Sequence, residues 1–206
     1  NRYDLRLCEI DGGNLHNAIP REAHAVCAVP MEYKEAVRVD LNVFLAEVEN
    51  EYAVTEPKLT MELESETHCA EVMEKEAMKR FLLSIYAVHN GVYAMSQDMP
   101  GLVETSSNLA SIKMRDGKII VGTSQRSSIL SSRKDMSQMI RAAFELGGAE
   151  TTTGDGYPGW KPNPSSEILG VAVESYNRLF GVEPKIKAIH AGLECGLFLE
   201  KYPSLD

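Results

Sequence analysis

Two segments of this chain carry residue types beyond what a turn needs. Gly12-Gly13-Asn14-Leu15-His16-Asn17-Ala18-Ile19-Pro20-Arg21-Glu22 sets two glycines, amide side chains and a proline between two strand-like runs. A two-residue turn would reverse the chain there. His190-Ala191-Gly192-Leu193-Glu194-Cys195-Gly196-Leu197 puts small residues around one acid at the mouth of a short apolar strand. That is where α/β sheets collect ligands. Taken alone, Glu194 reads as a carboxylate at a helix N-terminus, where the helix dipole favours it.

Other spellings of chemistry fail on their context. Gly154-Asp155-Gly156-Tyr157-Pro158-Gly159 spells GxGxxG, but a phosphate cradle needs a helix starting inside it, and Pro158, Pro162 and Pro164 forbid one for several residues. The five histidines, His16, His24, His68, His89 and His190, show neither HxH nor HxxxH, so no zinc-ligand spacing is present. His68-Cys69 with Glu71 is the nearest cluster and reads as an exposed helix start. No GxSxG elbow or P-loop occurs. By motif alone, the chain holds no complete catalytic centre. Cys8, Cys27, Cys69 and Cys195 lie far apart without a CxxC pair, which reads as scattered buried thiols in a reducing cytoplasm.

The elements that must position these segments follow from periodicity. Tyr3, Leu5 and Leu7 alternate with polar residues, and residues 21–29 alternate again through Ala23, Ala25, Cys27 and Val29, so two strands are expected. Val37, Leu41, Phe44, Leu45 and Val48 recur at helical spacing within 31–52. Leu59, Met61 and Leu63 suggest a third strand, and Met73, Ala77, Phe81 and Leu82 a helix over 70–89 that ends at Asn90-Gly91. The order then restarts. A strand over 103–114, a turn at Arg115-Asp116-Gly117 and a strand over 118–125 form a hairpin. A helix follows with Met136, Met139, Ile140, Ala143 and Phe144, stopping at Gly147-Gly148, and then a strand over 149–153. Strand–strand–helix–strand thus occurs twice, which points to an internal duplication with helices on one sheet face. After a Pro-rich connector, residues 165–180 form an amphipathic helix and 186–189 a buried strand. That tail is too small to fold as a domain of its own.

The composition limits the partners. The chain has 206 residues, 44% of them apolar and 25% charged, with a net charge of −9. Such a field repels phosphate backbones and anionic lipid, so neither nucleic acid nor membrane is expected as a partner. No apolar stretch approaches the roughly 20 residues of a bilayer span. The chain opens without Met inside a strand-like run and stops at Tyr202-Pro203-Ser204-Leu205-Asp206, so a piece of a longer protein is expected.

Several blocks, in order, resemble the bacterial Xaa-His dipeptidases, also called aminoacyl-histidine dipeptidases or peptidase D. They are Gly12-Gly13 with Asn17-Ala18-Ile19-Pro20-Arg21-Glu22, Val103-Glu104-Thr105-Ser106 with Asn108, Tyr157-Pro158-Gly159-Trp160, Ile189 to Phe198, and Tyr202-Pro203. The run HAGLECGLF is the specific one, and NAIP is shared more widely. These enzymes are carnosinase-like two-zinc metallopeptidases. The resemblance implies an α+β fold: a ferredoxin-like lid (1–156) with two similar strand–strand–helix–strand halves, then a short α/β return segment of the catalytic domain (157–206). It implies a cytoplasmic hydrolase that cleaves carnosine-like dipeptides with C-terminal histidine, and it leaves a homodimer open.

The family's zinc ligands and general-base glutamate belong to motifs that have no match in this sequence. Two zinc ions are therefore expected in the full-length parent and none in this chain, which alone should be inactive. What the resemblance does carry over is substrate recognition by Asn17, Arg126 and Glu194. Arg126 would grip the terminal carboxylate with a two-pronged pair that Lys cannot match. Asn17 would donate to the same carboxylate or to the scissile carbonyl. Glu194, in a glycine-flanked turn open to close approach, would receive the free amino group. Without the resemblance, Arg126 reads as a solvated arginine at a strand end. Two rivals stand beside this reading: the lid of a broader di- or tripeptidase or acyl-amino-acid hydrolase, and a self-contained α+β binding module. Against the module, the apolar strand and helix over 186–198 would have nowhere to bury themselves.

Overall fold

The computed structural model describes residues 2–66, 69, 71–159, 162–163, 165–188 and 194–205. Its strands are β1 (Arg6–Gly12), β2 (Ala23–Ala28), β3 (Gly91–Met95), β4 (Val103–Arg115) and β5 (Lys118–Ser127). Its helices are α1 (Lys34–Tyr52), α2 (Lys75–Ala87), α3 (Leu130–Leu146), α4 (Glu167–Phe180) and α5 (Glu194–Lys201).

All pairings in the five-stranded sheet are antiparallel, in the order β2-β1-β4-β3, with β5 also on β4. The long β4 makes this possible. One of its edges pairs with β3 near Val103–Ser107 and with β1 at Ile112 and Lys113, while the other edge carries β5. The β4–β5 hairpin turns at Asp116 and Gly117, both at positive φ (51° and 70°). Two left-handed residues match the twist of the flanking strands, so the expected hairpin forms where the sequence puts it.

The core lies between this sheet and two helices. Met136, Ile140 and Phe144 of α3 pack with Val88, Ile85, Leu109, Val121 and Ala143. Leu7 and Cys8 of β1 are buried, as is Met78 of α2, and the Leu7 N–H lies 3.1 Å from the Met78 sulfur. Each buried side chain of this size contributes about 1.5–3 kcal/mol. Of the stripe expected on α3, all but the 42% exposed Met139 faces this core. On α2 the expected face is displaced: Met78 and Ser84 are buried, and Leu82 is exposed. The run Phe81-Leu82-Leu83 with Ile85 offers more apolar positions than one face holds, so tertiary packing makes the choice. The helix starts later than residue 70 because the Glu74 carboxylate caps it, accepting from the Glu76 and Ala77 N–H groups at 2.9 and 2.7 Å.

Four expectations need correction. Leu59, Met61 and Leu63 form no strand, since alternation describes a face and supplies no partner edge for N–H and C=O groups. Residues 149–153 form none either. There the chain is tied back to α3, with the Ala149 N–H donating to the Phe144 carbonyl at 3.0 Å and the Thr151 hydroxyl to Glu145 at 2.7 Å. Both strand–strand–helix runs therefore end at their helix, and β3 is a strand the periodicity missed because Val92-Tyr93-Ala94-Met95 shows no alternation. Third, the described part of the 186–189 strand, residues 186–188, is not in a sheet. Fourth, the thiols are not all free: Cys8 and Cys69 are disulfide-bonded across 61 positions with Cα atoms 6.0 Å apart, a distance chain separation does not reveal. Cys27 and Cys195 remain free thiols, but both are exposed and not buried as expected.

Of the stripe expected on α1, Val37, Leu41, Leu45 and Val48 are less exposed than their neighbours while Phe44 is exposed, and no residue of α1 is buried. Helix α4 begins at the Ser166 cap, whose hydroxyl accepts from the Leu169 N–H at 3.1 Å, and ends at Gly181 at φ 69°. It likewise buries no residue.

Candidate functional site

The β1–β2 connection is held in an open loop by one glycine. Gly13 sits at φ +63°, and a Cβ there would lie 2.0 Å from the Ala110 carbonyl oxygen. Only glycine lets the chain press on β4 at Ala110, where β4 carries a bulge against β5. The Asn108 side-chain amide donates to the Ala18 carbonyl at 2.8 Å. Residues 14–18 are thereby held over the sheet, with His16 and Asn17 exposed at their tip.

Arg126 lies at the far end of β5, opposite Ser106. The next residue organises the turn into α3: the buried Ser127 hydroxyl accepts from the Ile129 N–H at 3.0 Å and lies 2.9 Å from the Thr105 hydroxyl. The Ser128 N–H donates to the Glu104 carbonyl at 3.2 Å. Arg126 thus projects from a backbone pinned on both sides.

A groove of about 1330 Å³ runs beside β5, floored by α3 and walled by residues 148–157. Asn17 and Arg126 both line it, together with His16, Arg133 and Tyr157. The wall is fastened at Glu145, where the Arg141 Nε and the Thr151 hydroxyl donate to the same carboxylate oxygen at 2.6 and 2.7 Å. The Thr151 hydroxyl, then Arg141, hold the Glu145 carboxyl below its ordinary range.

The third expected site residue, Glu194, opens α5. Its side chain and residues 189–193, including His190, lie outside the described residues. The backbone around it is tied to the Arg126 end of the groove by two glycines. A Cβ on Gly159 would lie 2.8 Å from the Ser127 carbonyl oxygen, and one on Gly196 would lie 3.1 Å from the Pro158 carbonyl oxygen. So the sequence Ser127, Gly159, Pro158, Gly196 is also a chain of close backbone approaches, leading from beside Arg126 to α5.

The GxGxxG spelling is no phosphate loop, because residues 154–159 form no helix and α4 starts only at Glu167. Among the described residues, no three His, Cys, Asp or Glu side chains converge on a point that could hold a metal. His68 lies outside the described residues, so the His68-Cys69-Glu71 cluster does not enter that statement. Cys69 is committed to the disulfide. The described residues therefore offer no fit for a zinc pair. Among the described residues, no helix is long and apolar enough to cross a membrane.

No family model matches the chain. Over 203 residues, 98% of its length, it is 36% identical to the cytosol non-specific dipeptidase of Escherichia coli. The crystal structure of the aminoacylhistidine dipeptidase from Vibrio alginolyticus superposes on all of it with a TM-score of 0.91 at 39% identity. The chain is a homologue of these dipeptidases. It spans 42% of the length of each. The groove is thus a feature of a dipeptidase homologue's fold. Arg133, which periodicity counts only as a polar position on α3, lines the groove as well.

Proposed function

We propose that the chain is the substrate-recognition part of a longer zinc-dependent dipeptidase acting on dipeptides with C-terminal histidine. Residues 1–156 would form the lid and 157–206 the return segment of the catalytic domain. The lid's two halves would be the β1–β2 hairpin with α1 and the β4–β5 hairpin with α3, joined in ferredoxin-like manner through β1 and β4. The observation that carries the reading is that Asn17 and Arg126, far apart in sequence, line one groove in a chain homologous to dipeptidases along its length.

In this reading Arg126 binds the substrate's terminal carboxylate through two parallel N–H···O bonds, and Asn17 donates to that carboxylate or to the scissile carbonyl. Glu194 accepts the free amino group. The ions that polarise the carbonyl and deliver hydroxide would be held by the rest of the parent, so the 206-residue chain alone is inactive and binds no stoichiometric zinc. The name of the Escherichia coli relative favours a cytoplasmic location. It also favours the broader-specificity alternative, since that protein is called non-specific.

The test is kinetic, in the full-length parent. Arg126→Lys should raise KM or lower kcat/KM for β-alanyl-histidine, with the melting temperature nearly unchanged, because a half-exposed charge adds little to folding. Glu194→Gln should weaken free dipeptides more than their N-acetylated forms. Unchanged kinetics in Arg126→Lys, or equal losses on both substrates in Glu194→Gln, would overturn the corresponding role. Equal kcat/KM for Xaa-His and for other dipeptides would favour the broader hydrolase.

A further inference from the structure

We propose that Asn108 is a positioning residue of the recognition site: through its bond to Ala18 it sets where Asn17 stands relative to Arg126. The inference rests on reading Asn17 and Arg126 as substrate-recognition residues, and it deepens that reading by naming what fixes their spacing.

Asn17 sits in a tight turn within the longer loop. The Ala18 N–H donates to the Leu15 carbonyl at 3.2 Å, which leaves His16 and Asn17 as the two central residues. The loop around this turn is fastened at its base. There the Gly13 N–H donates to the Glu22 carbonyl at 3.2 Å, and Lys113, which also pairs with Asp11, donates to the Asn14 side-chain oxygen at 3.2 Å. Residues 14–20 are all exposed, so burial does little to fix them. The bond from the Asn108 amide to the Ala18 carbonyl ties the turn itself to the sheet, one residue from Asn17.

The same stretch of β4 holds Arg126. Ser106 pairs with Arg126 and Asn108 with Ser124, and the register is regular there, since the β4–β5 irregularity lies further on, between Leu109 and Ser111. Alternation puts Ser106 and Asn108 on one face of the sheet, and Arg126, opposite Ser106, shares it. Asn108 and Arg126 are thus diagonal cross-strand neighbours, about 7–8 Å apart. That is about the length of an extended dipeptide, ~7 Å. One strand therefore meters both groups: it carries Arg126 by its ladder bonds and the Asn17 turn by a side chain. Without the Asn108 bond the loop stays fastened at its base while Asn17 samples more positions, and a ligand that needs both groups at once must order it on binding.

The experiment is a double-mutant cycle in the full-length parent, with β-alanyl-histidine as substrate. Asn17→Ala sets the reference: it should lower kcat/KM, with a characteristic division of the loss between KM and kcat. Asn108→Leu keeps a similar neutral shape and removes the donor. It should lower kcat/KM roughly three- to tenfold, the size of one lost hydrogen bond, with the same division between KM and kcat as Asn17→Ala. In the Asn17→Ala background it should add no further loss, whereas an independent structural defect would multiply the two. Asn108→Gln, with the donor on a longer stem, should lose less and show the same coupling, and it carries the test if Asn108→Leu does not fold. Losses that multiply, or a division unlike that of Asn17→Ala, would make Asn108 merely structural while Asn17 keeps its role. Unchanged kinetics in Asn17→Ala would instead remove Asn17 from recognition, and the positioning role with it.

Discussion

The Asn108 side-chain amide donates to the Ala18 carbonyl at 2.8 Å, joining the middle of β4 to a loop 90 positions earlier in the chain. This bond holds the segment that presents Asn17. Replacing Asn108 by Ala is expected to cost about 0.5–1.5 kcal/mol and to raise amide hydrogen exchange at 14–18 while that of β4 stays slow. Protection at 14–18 identical to wild type would show that Gly13 and Pro20 hold the loop without it.

Gly13 and Gly117 both adopt positive φ, +63° and +70°, but only Gly13 has backbone where a side chain would go. Gly117→Ala should therefore cost only the left-handed backbone penalty, roughly 1–2 kcal/mol. Gly13→Ala adds a clash with the Ala110 carbonyl and should lower the melting temperature well beyond Gly117→Ala. Similar melting temperatures for the two variants would mean that the loop moves freely off β4.

The Cys8–Cys69 disulfide closes a 61-position loop that contains β2 and α1. By the chain-entropy argument, a loop of that length is worth about 4 kcal/mol. Thiol titration of unreduced, unfolded protein should find two reactive groups, Cys27 and Cys195, and four after reduction. Reduced protein should melt at a lower temperature and exchange amides faster around Met73, whose N–H donates to the Leu7 carbonyl beside Cys8. Four reactive thiols without reductant would remove the cross-link.

Two depressed carboxyl groups make the groove wall and the β1–β4 junction acid-sensitive. The hydrogen bond from Lys113 lowers Asp11, and those from Thr151 and Arg141 lower Glu145. Because the folded-state values lie below the unfolded ones, their contribution is complete above the ordinary carboxylate range and is lost as pH falls through the depressed values. Protection factors at 148–153, which correct for the slower intrinsic exchange in acid, should therefore fall as the pH drops below about 4, and Glu145→Gln should show the looser wall already at neutral pH. A wall equally protected in that variant would show that the backbone bonds to α3 suffice.

Local chemistry was legible in the sequence wherever one segment decides its own conformation. The Asp116-Gly117 hairpin, the stripe Met136, Ile140 and Phe144, and the amphipathic helix over 165–180 need only neighbours within a few positions. Asn17 and Arg126 could be named from residue type and resemblance, but neither local pattern says that they share a groove. That depends on the Gly13–Ala110 approach, the Asn108–Ala18 bond and the Ser127 turn, contacts between parts of the chain that only the fold brings together. The same limit explains the misreadings. Alternation at Leu59–Leu63 and at 149–153 marks which side of an extended segment is apolar, whereas strand formation also needs a free edge of matching register. The Cys8–Cys69 pair is likewise a distance in space, and chain separation carries no information about it.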